Sequence, residues 1–238
     1  MKLYDDCIGQ VNGLLSQTRK TELNGGSAGP LWPDAGKNQL IFRSDMAYEL
    51  GGGTLPALSG VLLTEDERLV PQDRVILWGK DLGELDRDTP YARIELVRVR
   101  ADRMGEGPAL YQAIRKIEYT RYHLNPQGFM LRISASSHRE SVRVSKETLA
   151  QGLDFARGGQ FFGHAYHAHP AVEAVTTVFI TDPAFAYKEL EKILRRSEQI
   201  TKALDHLLQK VKMDCHVCGL REVCAEVEQM CKTDFPET

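Results

Sequence analysis

Four of the five cysteines stand close together near the C-terminal end of the sequence, at Cys215, Cys218, Cys224 and Cys231. The short Cys-x2-Cys step lets two thiolates turn onto the same metal ion or cluster face. Cys224 and Cys231 lie seven residues apart in a stretch of helical composition, so they would share one helix face. Thiolates select zinc, Cu(I) or iron–sulfur clusters, and four of them complete a tetrahedral zinc site or a [4Fe–4S] cubane. The pattern predicts a metal site, with a [4Fe–4S] cluster as the first interpretation.

Two other interpretations of the same cysteines remain open. Four ligands that include thiolates also suit a structural zinc ion, and His216 could then replace Cys231 as the fourth ligand. Reduced cysteines can also pack a terminal helix as small hydrophobic residues, without any metal. The fifth cysteine, Cys7, falls in an N-terminal helical pattern and is expected to be buried.

Composition and charge indicate a globular protein of the cytoplasm. The 238 residues are 42% hydrophobic and 26% charged, and the net charge is −3, so no overall basic field favours nucleic acid as a partner. No apolar run approaches the ~20 residues of a membrane-spanning helix, and no signal peptide is recognised at the start. Thiols in the cytoplasm stay reduced, and clustered cysteines there indicate metal more often than disulfides.

Hydrophobic periodicity predicts an α+β fold with a mixed sheet, flanking helices and a long C-terminal helix that leads to a small cysteine-rich tail. The run of β-branched residues at 172–181 predicts a central strand, and residues 184–212 carry the apolar spacing of a long helix. Further strands are predicted at 60–64, 74–79 and 92–100, and helices at 4–22 and 108–122.

The predicted elements fall into three parts. Residues 1–38 form an N-terminal helix followed by a linker rich in glycine and proline, because residues 24–38 hold four glycines and two prolines. Residues 39–212 form the α+β domain, and residues 213–238 form the four-cysteine segment.

Nine arginines are concentrated between residues 93 and 143. Guanidinium groups bind phosphates through two parallel hydrogen bonds, so arginines that converge on one cleft would bind a phosphate-bearing ligand. The candidates for that role are Arg98, Arg100, Arg121, Arg132, Arg139 and Arg143.

Three histidines lie within six residues, at His164, His167 and His169. A His-x2-His pair can bind zinc, but the glutamate of the His-Glu-x2-His motif is missing here. A solvated helix face is the preferred interpretation of this pair.

Several short motifs resemble, in the same order, the β subunit family of the CO dehydrogenase/acetyl-CoA synthase complex. Residues 42–52 contain Asp-Met-Ala-Tyr-Glu-Leu-Gly-Gly and resemble that family's Asp-Met-x-x-Glu-(Phe/Leu)-Gly-Gly passage. Residues 76–85, 143–148 and 178–182 resemble three later passages of the family. Together the matches extend over about residues 39–212, which correspond to the middle domain of that family.

The resemblance implies an α+β unit of acetyl-CoA metabolism that binds coenzyme A near its arginines and contacts protein partners in a CO dehydrogenase or corrinoid complex. It also implies that Cys215, Cys218, Cys224 and Cys231 hold a [4Fe–4S] cluster. The family's Cys-Gly-Cys, which binds nickel, is absent from this sequence. A complete nickel site and acetyl-CoA synthase activity are therefore not expected of this chain, and whether it is an enzyme stays open. The alternative function is a zinc-stabilised scaffold protein of a one-carbon or corrinoid enzyme complex.

Overall fold

The structure, a computed structural model, describes residues 2–16, 21–23, 30–134, 138–208 and 219–234, with side chains described up to Cys231. Its elements in chain order are α1 (Asp5–Ser16), β1 (Thr21–Leu23), β2 (Met46–Leu50), β3 (Ala57–Thr64), β4 (Arg74–Trp78), β5 (Tyr91–Val99), α2 (Pro108–Tyr119), β6 (Phe129–Ile133), β7 (Glu140–Ser145), α3 (Lys146–Ala150), α4 (Phe155–His167), β8 (Val172–Ile180), α5 (Tyr187–Leu208) and α6 (Arg221–Asp234). Short 3-10 turns occupy Leu82–Glu84, Ala101–Arg103 and Thr120–His123.

A five-stranded mixed sheet forms the centre of the fold, in the order β1-β4-β8-β5-β3. Strand β8 pairs parallel with β4 and antiparallel with β5, while β5 pairs parallel with β3. The nine residues of β8 are almost all buried, because both faces of the sheet are covered. The predicted α+β class, mixed sheet and long helix near the C-terminus are confirmed, and β8 is the predicted central strand.

One face of the large sheet packs against helices α1, α2 and α5, and α6 packs against α5. Ile76, Ile94 and Val178 point into this core, where they meet Leu194 and Leu204 of α5. Gly60 of β3 lets α5 approach the sheet closely, since a Cβ there would press on the side chain of Leu194. The described residues of the first 38 take part in the same fold: Tyr4 is hydrogen-bonded to Thr201 of α5, and β1 pairs with β4.

The opposite face is covered by α4 and by a small antiparallel sheet of order β2-β7-β6. Aromatic side chains fill this second core, and the Phe155 ring lies 4.4 Å from that of Phe179. Strand β2 was not predicted as a strand, because it is only five residues long and its Met-Ala-Tyr-Glu-Leu sequence lacks a regular alternation of apolar and polar residues. Segment 39–43 runs over the small sheet without strand structure, with Leu40 and Phe42 exposed.

A buried ion cluster joins the two sheets. Arg93 of β5 donates two hydrogen bonds of 2.8 and 2.7 Å to Glu140 of β7, and a third of 2.8 Å to Glu95. Thr177 donates to the second oxygen of Glu95 at 2.6 Å. Burial raises the pKa of Glu95. The alternation of β5 is typical of a strand with one solvated face, but here that face is buried under the small sheet and α4.

Gly128 fixes the turn that enters β6. Its φ is +75°, and a Cβ would lie 1.8 Å from Oγ1 of Thr148, so both the backbone and the space require glycine. We expect Gly128→Ala to lower the free energy of unfolding by about 3 kcal/mol or more, measured by urea denaturation. Gly36→Ala is the matched control, because Gly36 has φ +72° but open space around it, and it should cost about 1 kcal/mol. Equal losses in both variants would contradict the steric argument.

Candidate functional site

The predicted arginines fall into three separate groups. Arg98 and Arg100 lie at the end of β5, where Arg98 contacts Glu173 at 3.4 Å and Arg100 is paired with Asp102 at 2.6 Å. Both are held by carboxylates at one end of the sheet, and neither borders the cleft described below.

Arg132 and Arg143 form the second group, on the small sheet. They extend from the neighbouring strands β6 and β7 towards Glu49 of β2, at 2.9 and 3.6 Å. Arg143 also donates to the carbonyl oxygen of Ile41 at 3.1 Å. The carboxylate of Glu49 therefore pairs with both arginines. Through the carbonyl oxygen of Ile41, Arg143 also holds segment 39–43 against the small sheet.

Arg121 and Arg139 form the third group and border a cleft between α2, the 3-10 turn at Thr120–His123, β3 and α5. We call it the central cleft. Its inner cavity has a volume of about 340 Å³, and its outer cavity has about 660 Å³. The two cavities share His138, Glu198 and Lys202 as walls.

The central cleft carries an excess of three positive charges, although the chain as a whole has a net charge of −3. Its basic residues are Arg115, Arg121, Arg139, Lys188, Arg195 and Lys202. Its carboxylates are Glu118, Glu191 and Glu198. Basic groups concentrated in a concave site attract an anionic ligand more strongly than the same groups spread over a surface.

Tyrosine rings line one wall of the inner cavity. Tyr119 and Tyr122 lie with ring centroids 5.7 Å apart, and Arg121 lies 4.7 Å above the ring of Tyr122. Arg121 also donates to the hydroxyl of Tyr122 and, at 3.1 Å, to the carbonyl oxygen of Ser59. Tyr119 is 47% exposed, and the Arg115 guanidinium lies 4.7 Å from its ring centroid, so at most the other face of the ring can receive a planar group of a ligand.

Glu118 is a buried carboxylate at the far end of the inner cavity. Burial raises its pKa, and its charge is offset by Arg115 at 2.7 Å and by a hydrogen bond from Thr201 at 3.1 Å. Tyr4 shares a hydrogen bond of 2.8 Å with the same threonine hydroxyl. This end of the cavity is therefore already hydrogen-bonded within the protein.

His138 stands between the two cavities. Its Nδ1 lies 3.2 Å from the carbonyl oxygen of Ser59, and its Nε2 lies 3.4 Å from a carboxylate oxygen of Glu198 without a hydrogen bond. Burial, and next the positive charge of Arg121, lower the pKa of His138. Burial raises the pKa of Glu198, but the hydrogen bond and charge of Lys202 outweigh it, so the pKa of Glu198 is lowered overall.

Within the part of the chain that the structure describes, three buried polar atoms near this point have no hydrogen-bond partner: the hydroxyl of Ser59, Nε of Arg121 and Nε2 of His138. Ser59 is only 1% exposed. Buried polar atoms are normally satisfied, so a group of them beside a cavity indicates a place where a water molecule or a ligand supplies the missing contacts.

Of the four predicted metal ligands, Cys215 and Cys218 lie outside the described residues. Cys224 and Cys231 lie on α6, which packs against α5 through Val223 and Val227. Both cysteines are half-buried against the main core. They share the packed face of the helix, as the spacing predicts, and this placement also suits cysteines that act only as small hydrophobic residues.

Helix geometry tests whether one metal ion fits both Cys224 and Cys231. Seven residues of α-helix advance by about 10.5 Å along the helix axis. Both Cα–Cβ bonds tilt towards the same helix end, so the two cysteine side chains do not lean towards each other and their sulfur atoms stay well apart. Two thiolates on one zinc ion, each about 2.3 Å from the metal, are only about 3.8 Å apart. A zinc ion therefore cannot bind both while α6 stays continuous. In a [4Fe–4S] cluster each cysteine binds a different iron, which allows a wider separation and fits the pair better.

The histidine pair lies on an exposed face of α4. His164 and His167 are exposed on α4, and Nε2 of His167 lies 2.9 Å from both oxygens of Asp73. Within the described ranges, no group of three or more histidine, cysteine or acidic side chains is arranged to hold a metal ion. The predicted solvated helix face is confirmed.

Sequence analysis did not identify His138, Glu198 or Lys202 as site residues. They come from a turn before β7 and from the polar side of α5, about 60 positions apart in the sequence, and no spacing motif connects them. Only the packing of the chain shows that His138 and Arg139 face the central cleft.

None of the helices in the described part of the chain combines the length and apolar content that crossing a bilayer requires. A comparison with models of known protein families gave no match, and a search among curated proteins gave no significant match either.

Proposed function

We propose that this chain is a protein of one-carbon and acetyl-CoA metabolism that binds a phosphate-bearing ligand, with coenzyme A as the first candidate, in the central cleft. The observation that carries the proposal is the charge of that cleft, six basic residues against three carboxylates in a chain of net negative charge. The exposed ring of Tyr119 beside Arg121 suits a ligand that joins a planar group to phosphate. The motifs that resemble those of the acetyl-CoA synthase family favour coenzyme A in particular.

The proposal includes a [4Fe–4S] cluster on Cys215, Cys218, Cys224 and Cys231. Its support is the Cys-x2-Cys spacing and the position of Cys224 and Cys231 on one face of α6. Such a cluster would supply electron transfer or would brace the C-terminal helix. On the side of α6 that faces α5, the buried residues Val223 and Val227 would exclude water from the cluster.

The second candidate is a zinc-stabilised scaffold for a one-carbon or corrinoid complex. The packing of α6 onto α5 favours a bracing role for any metal, since Arg196 of α5 is also paired with Glu226 of α6. A zinc ion would need His216 or another donor, because α6 separates Cys224 from Cys231. Partners in such a complex would be other proteins.

Calorimetric titration with coenzyme A tests the ligand proposal. We expect wild-type protein to bind it and Lys202→Ala to bind about tenfold more weakly, because one charge-assisted contact is lost. Arg121→Gln should weaken binding by about tenfold or more, since it removes both a charge and a stacking surface. Lys202 is 57% exposed, so its replacement should leave melting unchanged and separates binding from folding.

Arg100→Gln is the matched control, because Arg100 is an exposed arginine paired with Asp102 away from the cleft. It should bind coenzyme A as the wild type does. Lack of binding by the wild type, or equal losses in Arg100→Gln and Arg121→Gln, would rule out the central cleft as the ligand site.

A further inference from the structure

The environment of His138 sets which of its nitrogens carries hydrogen. The carbonyl oxygen of Ser59, 3.2 Å from Nδ1, can only accept a hydrogen bond, so Nδ1 is the protonated nitrogen of the neutral ring. Nε2 then presents a lone pair towards the carboxylate of Glu198, which is also an acceptor. Two acceptors cannot bond to each other, and this explains why Nε2 is buried without a partner at 3.4 Å.

Charges from each element around His138 bear on its protonation. Arg121, from the 3-10 turn, and Arg195, from α5, both disfavour the imidazolium, while Glu198 of α5 favours it. Lys202 of α5 lines both cavities and is paired with Glu198 at 2.8 Å. Arg139, which follows His138 in the sequence, donates hydrogen bonds to the backbone carbonyl oxygens of Gly51 and Gly53. Burial adds to the basic groups, so the pKa of His138 lies below its usual value.

An oxyanion in the inner cavity would change this balance. Its negative charge near Arg121 offsets the repulsion that keeps His138 neutral, and its oxygen can accept a hydrogen bond from a protonated Nε2. The Nε of Arg121, which is buried without a partner among the described residues, is a further donor at the wall of the same cavity.

We propose that His138 is a specificity-determining contact for the oxyanion of the ligand, and that its Nε2 takes up one proton from solvent as the anion binds. This rests on the proposed ligand site in the central cleft. The site therefore selects a fully charged oxyanion and binds it more tightly as the pH falls. A merely structural histidine would not couple its proton to the ligand.

Calorimetry in two buffers of different ionisation enthalpy measures the protons taken up on binding. The probes are coenzyme A and sulfate, because the charge of sulfate does not change near neutral pH. For the wild type we expect uptake of up to one proton, and an affinity that rises by up to about tenfold for each unit of falling pH between the pKa of free and of bound His138. His138→Gln should bind without proton uptake and with an affinity for sulfate that is independent of pH.

His167→Gln is the control, since His167 is exposed and paired with Asp73 outside the central cleft. It should keep the proton uptake of the wild type. Binding without proton uptake, or the same uptake in His138→Gln, would overturn the role of His138 while leaving the ligand site intact. No binding of either probe would overturn the ligand site and this role together.

Discussion

Replacing Arg93 with methionine is expected to lower the free energy of unfolding by about 3–5 kcal/mol, because removing one partner of a buried ion pair leaves an uncompensated charge. Arg93 is 1% exposed and is bonded to both Glu95 and Glu140. Methionine fills similar space but leaves two carboxylates without a cation between the sheets. Urea denaturation followed by circular dichroism measures the loss.

Two further variants separate charge from packing at this cluster. Glu95→Gln can still accept from Arg93 through its amide oxygen, while its amide N–H would donate to the Thr177 hydroxyl and reverse that bond. It also removes a charge that burial penalises, so stability should change by less than about 1 kcal/mol. Arg132→Gln removes a half-exposed arginine paired with Glu49 and should also cost less than about 1 kcal/mol. A loss below 1 kcal/mol for Arg93→Met would show that the cluster does not join the sheets as argued.

Replacing Cys218 or Cys224 with serine is expected to remove the metal altogether, because a structural site that loses one thiolate loses most of its affinity. Protein purified without oxygen should contain about four iron and four sulfide per chain and be brown if the site holds a cluster. One zinc and no iron would indicate the scaffold function instead. Metal analysis and visible absorption measure the outcome, and the melting temperature should fall together with the metal.

Cys231→Ser discriminates between the two metals. A four-cysteine cluster needs it, so iron and sulfide should be lost, whereas zinc bound with His216 should remain because α6 keeps Cys231 away from Cys224. Cys7→Ala is the control, since Cys7 is buried in the main core on α1. Unchanged metal in all three C-terminal variants, or no metal in the wild type, would leave these cysteines as packing residues.

Much of the fold followed from local pattern. The β-branched run of β8 and the apolar spacing of α5 set both elements and their burial, because each must hide its apolar surface against the other. The boundaries were less accurate: the helix predicted over 4–22 ends at Ser16 among the described residues, and β1 follows at Thr21. The helix predicted over 108–122 begins at Pro108 and tightens into a 3-10 turn after Tyr119.

The residues of the candidate sites were also only partly predictable from the sequence. The sequence by itself determined the cysteine spacing and the density of arginines, since both are properties of neighbouring residues. Only the tertiary structure decided that Arg93 is buried, that Arg132 and Arg143 are held by Glu49, and that Arg121 and Arg139 border the same cleft. Each of these outcomes depends on charges brought together from distant strands and helices, where a carboxylate within a few ångströms decides whether an arginine is occupied or available.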